Sequence, residues 1–223
     1  MQIGSAVDNS FTNEQLPYSG ALWNHVTGAN DSAVFDDIYI TDLSLRLNNS
    51  VIPEGLLNIN SGTLNMSDTV RIYLRNPTSP YQIIDSAKSK IDSVGFTGFF
   101  EFSHTQSGQY FISVVHRNSI ETWSKLPVTF SHGLPASYDF TSARSSAYGN
   151  NLVLKNGKYC IYTGDVNQDG TVDAFDLSVI DNEAFTFQSG YIQTDLNGDG
   201  FADASDASLG DNNAFNFVSR VTP

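Results

Sequence analysis

The sequence predicts a mainly β protein that closes with a small helix-and-loop module, on three observations. Short alternating or aromatic-rich runs, broken by Gly, Pro, Asn and Ser, fill the chain as far as residue 164. No stretch before Ala174 joins an N-cap to a 3.6-residue apolar period over a helix's length. Acid is concentrated at the end: residues 165–223 hold 11 of the 24 Asp and Glu, ten of them Asp, against one base, Arg220.

Strands are expected over 34–47, 56–64, 69–75, 82–87, 95–103, 109–117, 128–131, 137–141 and 152–162, with breakers such as Pro53, Pro77, Pro80, Gly108, Gly133 and Gly149 between them. Alternation is cleanest in Val70-Arg71-Ile72-Tyr73-Leu74-Arg75, where Val70, Ile72 and Leu74 would face a core and the arginines the solvent. Strands of this number and length point to an antiparallel β-sandwich, immunoglobulin-like or transthyretin-like, over residues 34–163. Residues 1–33 are polar with scattered apolar positions and no stable period, and read as an arm or irregular cap.

Composition excludes several functions. A net charge of −13 repels nucleic acid and anionic membrane surfaces. No apolar run reaches the ~18 residues of a spanning helix, and residues 1–10 lack the basic and apolar regions of a signal peptide. If the chain is secreted, the signal is not part of it. The single cysteine, Cys160, permits no internal disulfide and lies in an apolar strand, where it is expected to be buried and inert.

The acidic end is a tandem duplication. Residues 165–193 align with 195–223 at 14 of 29 positions, a period of 30. The shared positions include Asp165/Asp195, Asn167/Asn197, Asp169/Asp199, Gly170/Gly200, Asp173/Asp203 and Asp176/Asp206, at places 1, 3, 5, 6, 9 and 12 of a twelve-residue loop. These are the cation positions of an EF-hand loop, where alternate side chains at 1, 3 and 5 converge and Gly at 6 permits the sharp turn. Position 7, Thr171 or Phe201, would offer its carbonyl, position 9 acts through water, and position 12 returns a carboxylate from the following helix. An all-oxygen set favours Ca²⁺ over zinc, and two loops imply two ions. The mutual repulsion of the carboxylates ties folding of this region to cation binding.

D-x-N-x-D-G-x-x-D-x-x-D, preceded by Gly164, duplicated at short spacing and with Asp at position 12, resembles the paired calcium loops of dockerin type I. The resemblance implies a module over 164–223 with one short helix after each loop, beginning near Ala174 and Ala204, and no helix before loop one, where residues 158–163 read as β. It also implies a cohesin-like partner. In that family the helix after loop one tends to be longer and to carry Lys or Arg that grip the cohesin, whereas neither stretch here has a base. From about residue 40 onward, the run DTVRIYLRN, then HRNSIETWS, then GDVNQDG and the DNxAFNF repeat, is similar to C-terminal modules of large secreted proteins of Bacteroidetes-type bacteria, which have no assigned catalysis.

The repeated Asp-Asn-x-Ala-Phe-x-Phe is expected to place Phe185, Phe187, Phe215 and Phe217 in an apolar centre between the loops, with Asp181 and Asp211 capping the next turn. The cluster His116, Arg117, Asn118, Glu121 and Trp123 reads as a polar turn in which Arg117 pairs with Glu121 and Trp123 joins the sandwich. His25, His104 and His132 have no partner at zinc spacing, no nucleophile elbow or phosphate loop is present, and no enzyme activity is expected.

The expected function is an extracellular or cell-surface calcium-binding structural protein, self-associating into a fibre, layer or adhesin stalk through the arm or the calcium module. Extracellular calcium would saturate even weak loops, whereas cytosolic calcium would not. The alternatives are a module that tethers to a cohesin-like partner, and a carbohydrate-binding accessory module using Tyr18, Trp23, Tyr81 or Tyr110.

Overall fold

The computed structural model describes residues 44–223, so the arm expected at 1–33 and most of the strand expected at 34–47 lie outside the described residues. The strands are β1 (Leu45–Ser50), β2 (Leu57–Asn58), β3 (Thr63–Leu64), β4 (Thr69–Arg75), β5 (Ile83–Lys90), β6 (Thr97–Phe102), β7 (Gly108–His116), β8 (Ser119–Trp123), β9 (Val128–Phe130), β10 (Ala136–Asp139), β11 (Val153–Lys155) and β12 (Lys158–Cys160). Two helices follow, α1 (Ala174–Phe185) and α2 (Ala204–Phe215), each starting at the expected residue. The chain is thus mostly β, with its only described α-helices in the acidic segment.

Two sheets make the sandwich. One has the order β10-β1-β6 and the other β5-β4-β7-β8, with β9 also paired to β7. Alternation decides what faces inward: Leu45 and Leu47 of β1, Phe100 and Phe102 of β6, Val70, Ile72 and Leu74 of β4, and Ile112 and Val114 of β7 are all fully buried in one cluster. Four details differ from the sequence reading. β1 and β10 run parallel, Leu47 opposite Ala136, because side-chain alternation says nothing about strand direction. The run 56–64 is the hairpin β2–β3 rather than one strand. The run 152–162 is likewise a hairpin, β11–β12, turning at Asn156 and Gly157 with φ of 49° and 76°, the positive pair that suits an Asn-Gly two-residue turn. The strand β8 occupies what reads as a polar turn, because residues covered on both faces show no alternation to find.

That second cover is the acidic segment. Residues Leu43–Pro223 form one compact unit, so the repeats pack on the sandwich. Ile120 of β8 is buried with Val172 and Val218, and Val166, Ile180 and Leu196 form a small cluster of their own. Asn213 of α2 donates to Glu54 Oε2 and the Thr163 carbonyl, both at 2.8 Å, and Asn65 donates to the Asn197 carbonyl at 2.8 Å. The backbones come close at Gly55, where a Cβ would lie 2.1 Å from the Leu196 carbonyl oxygen. Gly55→Ala must push the second repeat off the sandwich. We expect a loss of about 1–3 kcal/mol, seen as a lower urea midpoint with the far-ultraviolet β signal retained.

Candidate metal centre

Each twelve-residue loop is built by its own side chains. In loop one, Asn167 Oδ1 accepts from Asp169 N at 2.8 Å and Asp169 Oδ1 from Thr171 N at 2.9 Å. Loop two repeats this with Asn197, Asp199 and Phe201 at 2.8 and 3.0 Å. These short side-chain turns bend the chain around a common interior. Gly170 and Gly200 turn it back at φ of 96° and 92°, a region closed to other residues at low cost.

Position 12 closes the loop. Asp176 is fully buried; its Oδ1 accepts from Val166 N and Asn167 N at 2.9 and 3.1 Å, and its Oδ2 from Asp173 N at 3.0 Å. Asp206 does the same with Leu196, Asn197 and Asp203 at 2.7, 3.0 and 2.9 Å. Asp173 and Asp203 cap their helices from position 9, accepting from Phe175 N and Ser205 N, so positions 9 and 12 form a reciprocal capping box. Asp181 and Asp211 therefore cap nothing: they lie exposed within α1 and α2, and the helices close at Thr186 and Asn216. A carboxylate has about four acceptor sites, so after three N–H groups Asp176 or Asp206 has room for one further bond.

The donor set fits a hard cation. Asp165, at position 1, is 2% exposed; Oδ2 accepts from Gly170 N at 3.2 Å, while Oδ1 is buried with no hydrogen-bond partner. Burial, then repulsion from Asp176 and Asp169, pushes the Asp165 carboxyl up to about 7. Burial likewise raises Asp176, Asp195 and Asp206, whereas hydrogen bonds from Ser205 lower Asp203. An orphaned, desolvated carboxylate oxygen among other carboxylates wants a positive charge. Among the described residues no three His, Cys, Asp or Glu side chains are already gathered around a point, since the loop carboxylates are turned to backbone N–H groups.

Residues the sequence reading did not connect surround loop two. The β7–β8 turn supplies Arg117, whose Nε donates to Asp68 Oδ2 at 2.9 Å and whose Nη2 is 3.8 Å from Asp195 Oδ2. The guanidinium lies 4.7 Å from the centre of the Tyr191 ring, and Tyr191 donates to Asp68 Oδ1. Asn118 donates to the Gln193 and Asp195 carbonyls at 3.1 and 3.0 Å. The expected Arg117–Glu121 pair does not form: Arg117, in the turn, is held on Asp68, while Glu121 on β8 meets Arg75 at 2.8 Å and Arg220 at 2.9 Å. Trp123 joins the sandwich as expected, beside Phe111 and Tyr81.

His116 also stands between Asp68 Oδ2 at 3.1 Å and Ser119 Oγ at 3.0 Å, the order of a Ser-His-Asp relay. Asp68, His116 and Ser119 are 2%, 1% and 0% exposed, so no substrate reaches this serine. Cys160 is buried too, its thiol pushed up to about 12 by burial and by Glu54.

The four phenylalanines are the largest correction. Phe185, Phe187, Phe215 and Phe217 are 85%, 85%, 81% and 87% exposed; the small core beneath the helices is instead Val166, Ile180 and Leu196, with Gly210 of α2 set against Ile180 and Leu177 of α1. Phe187 and Phe217 hold φ of 54° and 52°. Phe187 N donates to Ala184 O and Gln188 N to Glu183 O, and Phe217 and Val218 repeat the pattern on Ala214 and Asn213. This is a Schellman close with Phe in the left-handed position that usually holds Gly. Of the residues proposed for glycan contact, Tyr81 and Tyr110 are half-buried with edge-on partners in the sandwich, and Tyr18 and Trp23 lie outside the described residues.

Fold and loops together define a class: a β-sandwich that carries two acidic loop-and-helix repeats. Residues 163–212 match the family model of the dockerin type I domain, so the chain has dockerin type I-like duplicated loops after a β-rich region. Dockerins of this type are calcium-binding, non-catalytic modules. No curated protein matches the chain. Among solved structures, it is similar to two interface mutants of a type II Cohesin-X-Dockerin complex from Acetivibrio cellulolyticus. The C-terminal interface mutant is 13% identical over 77% of this chain and 99% of that chain, with a TM-score of 0.43. The N-terminal interface mutant is 15% identical over 78% and 97%, with a TM-score of 0.38. No helix among the described residues is long and apolar enough to cross a membrane.

The clasp around Asp68 sets an acid dependence. Burial alone would raise the Asp68 carboxyl, but His116, Tyr191 and Arg117 outweigh it and hold the group well below the usual carboxylate range. A depressed folded pKa contributes stability that is present above the unfolded value near pH 4 and is lost as pH falls further. In EDTA, Asp68→Asn should lower Tm at neutral pH and flatten its fall between about pH 4 and pH 2, read by thermal melts.

Proposed function

We propose that this chain is a secreted, non-catalytic docking module in which two Ca²⁺ loops, built on a β-sandwich, present an aromatic surface to a cohesin-like partner. Asp165, Asn167, Asp169, Thr171 (carbonyl), Asp173 and Asp176 hold one ion. Asp195, Asn197, Asp199, Phe201 (carbonyl), Asp203 and Asp206 hold the other. Bound Ca²⁺ supplies positive charge to carboxylates that burial otherwise forces toward protonation. The functional division follows the sequence, 34–163 for the sandwich and 164–223 for the module. Extracellular placement suits loops that need calcium well above cytosolic levels.

The observation that carries the docking reading is the exposed pair Phe185/Phe187 and its copy Phe215/Phe217. A solvated aromatic contributes little to stability, and a side chain in the left-handed closing position costs about 1 kcal/mol relative to Gly. The two repeats differ at 15 of 29 positions yet both keep these phenylalanines, which is the expected mark of a binding surface. Neither helix has a base, and Asp181 and Asp211 are exposed beside the rings, so the matching partner offers apolar sockets with a basic rim. The fibre or layer reading has no comparable feature among the described residues, and the docking reading replaces it.

Calorimetry should give two Ca²⁺ per chain, falling to one in Asp165→Ala or Asp195→Ala, and EDTA should lower Tm. Unchanged stoichiometry in both variants contradicts the ligand assignment. Separately, Phe187→Gly with Phe217→Gly should raise Tm slightly, by about 0.5–1 kcal/mol of stability per site, while reducing calcium-dependent binding to immobilised cohesin domains at least tenfold. Binding that survives both changes, or that persists in EDTA, rules out this surface.

A further inference from the structure

Two loops with the same ligand pattern do not stand in the same electrostatic surroundings. Loop one forms no ion pair among the described residues: none of Asp165, Asp169, Asp173 or Asp176 has a Lys, Arg or His within ion-pair distance. Arg220 donates its backbone N–H to the Gly170 carbonyl at 2.7 Å and its guanidinium lies close to Gly170, but that side chain is 42% exposed and engaged with Glu121 at 2.9 Å. Loop two has Arg117 Nη2 at 3.8 Å from Asp195 Oδ2, with side chains 9% and 2% exposed.

Arg117 cannot easily move away. Nε is fixed on Asp68, Tyr191 covers the guanidinium face, and Asn118, the next residue, is hydrogen-bonded to the backbone of Gln193 and Asp195. Nη1 and Nη2 are buried without a hydrogen-bond partner, so their charge is offset by the carboxylates of Asp68 and Asp195 and by the Tyr191 ring face. An exposed pair at this separation would count for little, but a buried one is poorly screened. A cation on Asp195 must share the carboxylate with a guanidinium already there, while a cation on Asp165 meets an oxygen with no competitor.

Building on the calcium reading, we propose that Arg117 is a positioning residue that makes the sites unequal: loop one takes the first Ca²⁺ and loop two the second, at higher concentration. The sandwich thereby sets the affinity of one loop of the module. Arg117 does double duty here, holding Asp195 and Asp68 in place before the cation arrives and opposing that cation when it does.

The amide signals of Gly170 and Gly200 in the full chain report each loop separately during a Ca²⁺ titration. We expect Gly170 to reach its end point first, with an affinity gap of about tenfold or more. In Asp165→Ala, where only loop two remains, adding Arg117→Met should tighten Ca²⁺ binding about tenfold and Arg117→Lys should not. In Asp195→Ala, Arg117→Met should leave loop one unchanged. Gly170 and Gly200 titrating together, or Gly200 first, overturns the proposal without any variant, as does an Arg117→Met that leaves loop two's affinity alone. Silence of both glycines to Ca²⁺ overturns the calcium reading itself.

Discussion

The C-terminal segment depends on two aspartates that never see water. Asp176 and Asp206 each gather three backbone N–H groups, two from the start of the loop and one from the helix cap. That single carboxylate turns a twelve-residue run into a closed ring and fixes the first turn of the helix behind it. The segment has little else to hold it, since its own apolar cluster is only Val166, Ile180 and Leu196 with partial cover from Ala207 and Leu209. Polar satisfaction substitutes for a hydrophobic core, and the carboxylates that provide it create a demand for positive charge.

The sandwich answers part of that demand and adds the missing apolar surface. Ile120 of β8 completes a cluster with Val172 and Val218, and Gly55 lets the backbone of the second repeat come into contact where any side chain would hold it off. Arg117, Asn118, Asp68 and Tyr191 then join the β7–β8 turn to the second repeat in one buried network. His116 and Ser119 belong to the same network, which explains a relay geometry with no path for a substrate: its polar groups satisfy one another across a packed joint. Sandwich and repeats are in this sense one folding unit rather than beads on a linker.

The exposed phenylalanines belong to a different economy from the rest of the molecule. Within the sandwich several rings are edge-on to one another, as Phe102 and Phe130 or Tyr138 and Phe140 are. On the repeats the rings stand in water, two of them in backbone positions that suit Gly. Repeat sequences with so little apolar material would gain by burying these rings, so folding alone does not account for their display.

The sequence by itself determined the β-rich first part, the inward set Val70, Ile72 and Leu74, both helix starts and the duplicated D-x-N-x-D-G loops, because each rests on local rules: a period of two, a cap followed by a turn, a glycine that permits a reversal. Its failures have local causes as well. The strand β8 carries no alternation because both faces are covered, and the Asn156–Gly157 turn is flanked by β-type residues on both sides, so the run 152–162 reads as one long strand. Only the tertiary structure decided that β1 and β10 run parallel, that Arg117 faces Asp68 and Asp195 rather than Glu121, and that the four phenylalanines point outward. Those choices depend on which distant surfaces meet, and a pattern of residue types along the chain does not encode which neighbour covers a given face.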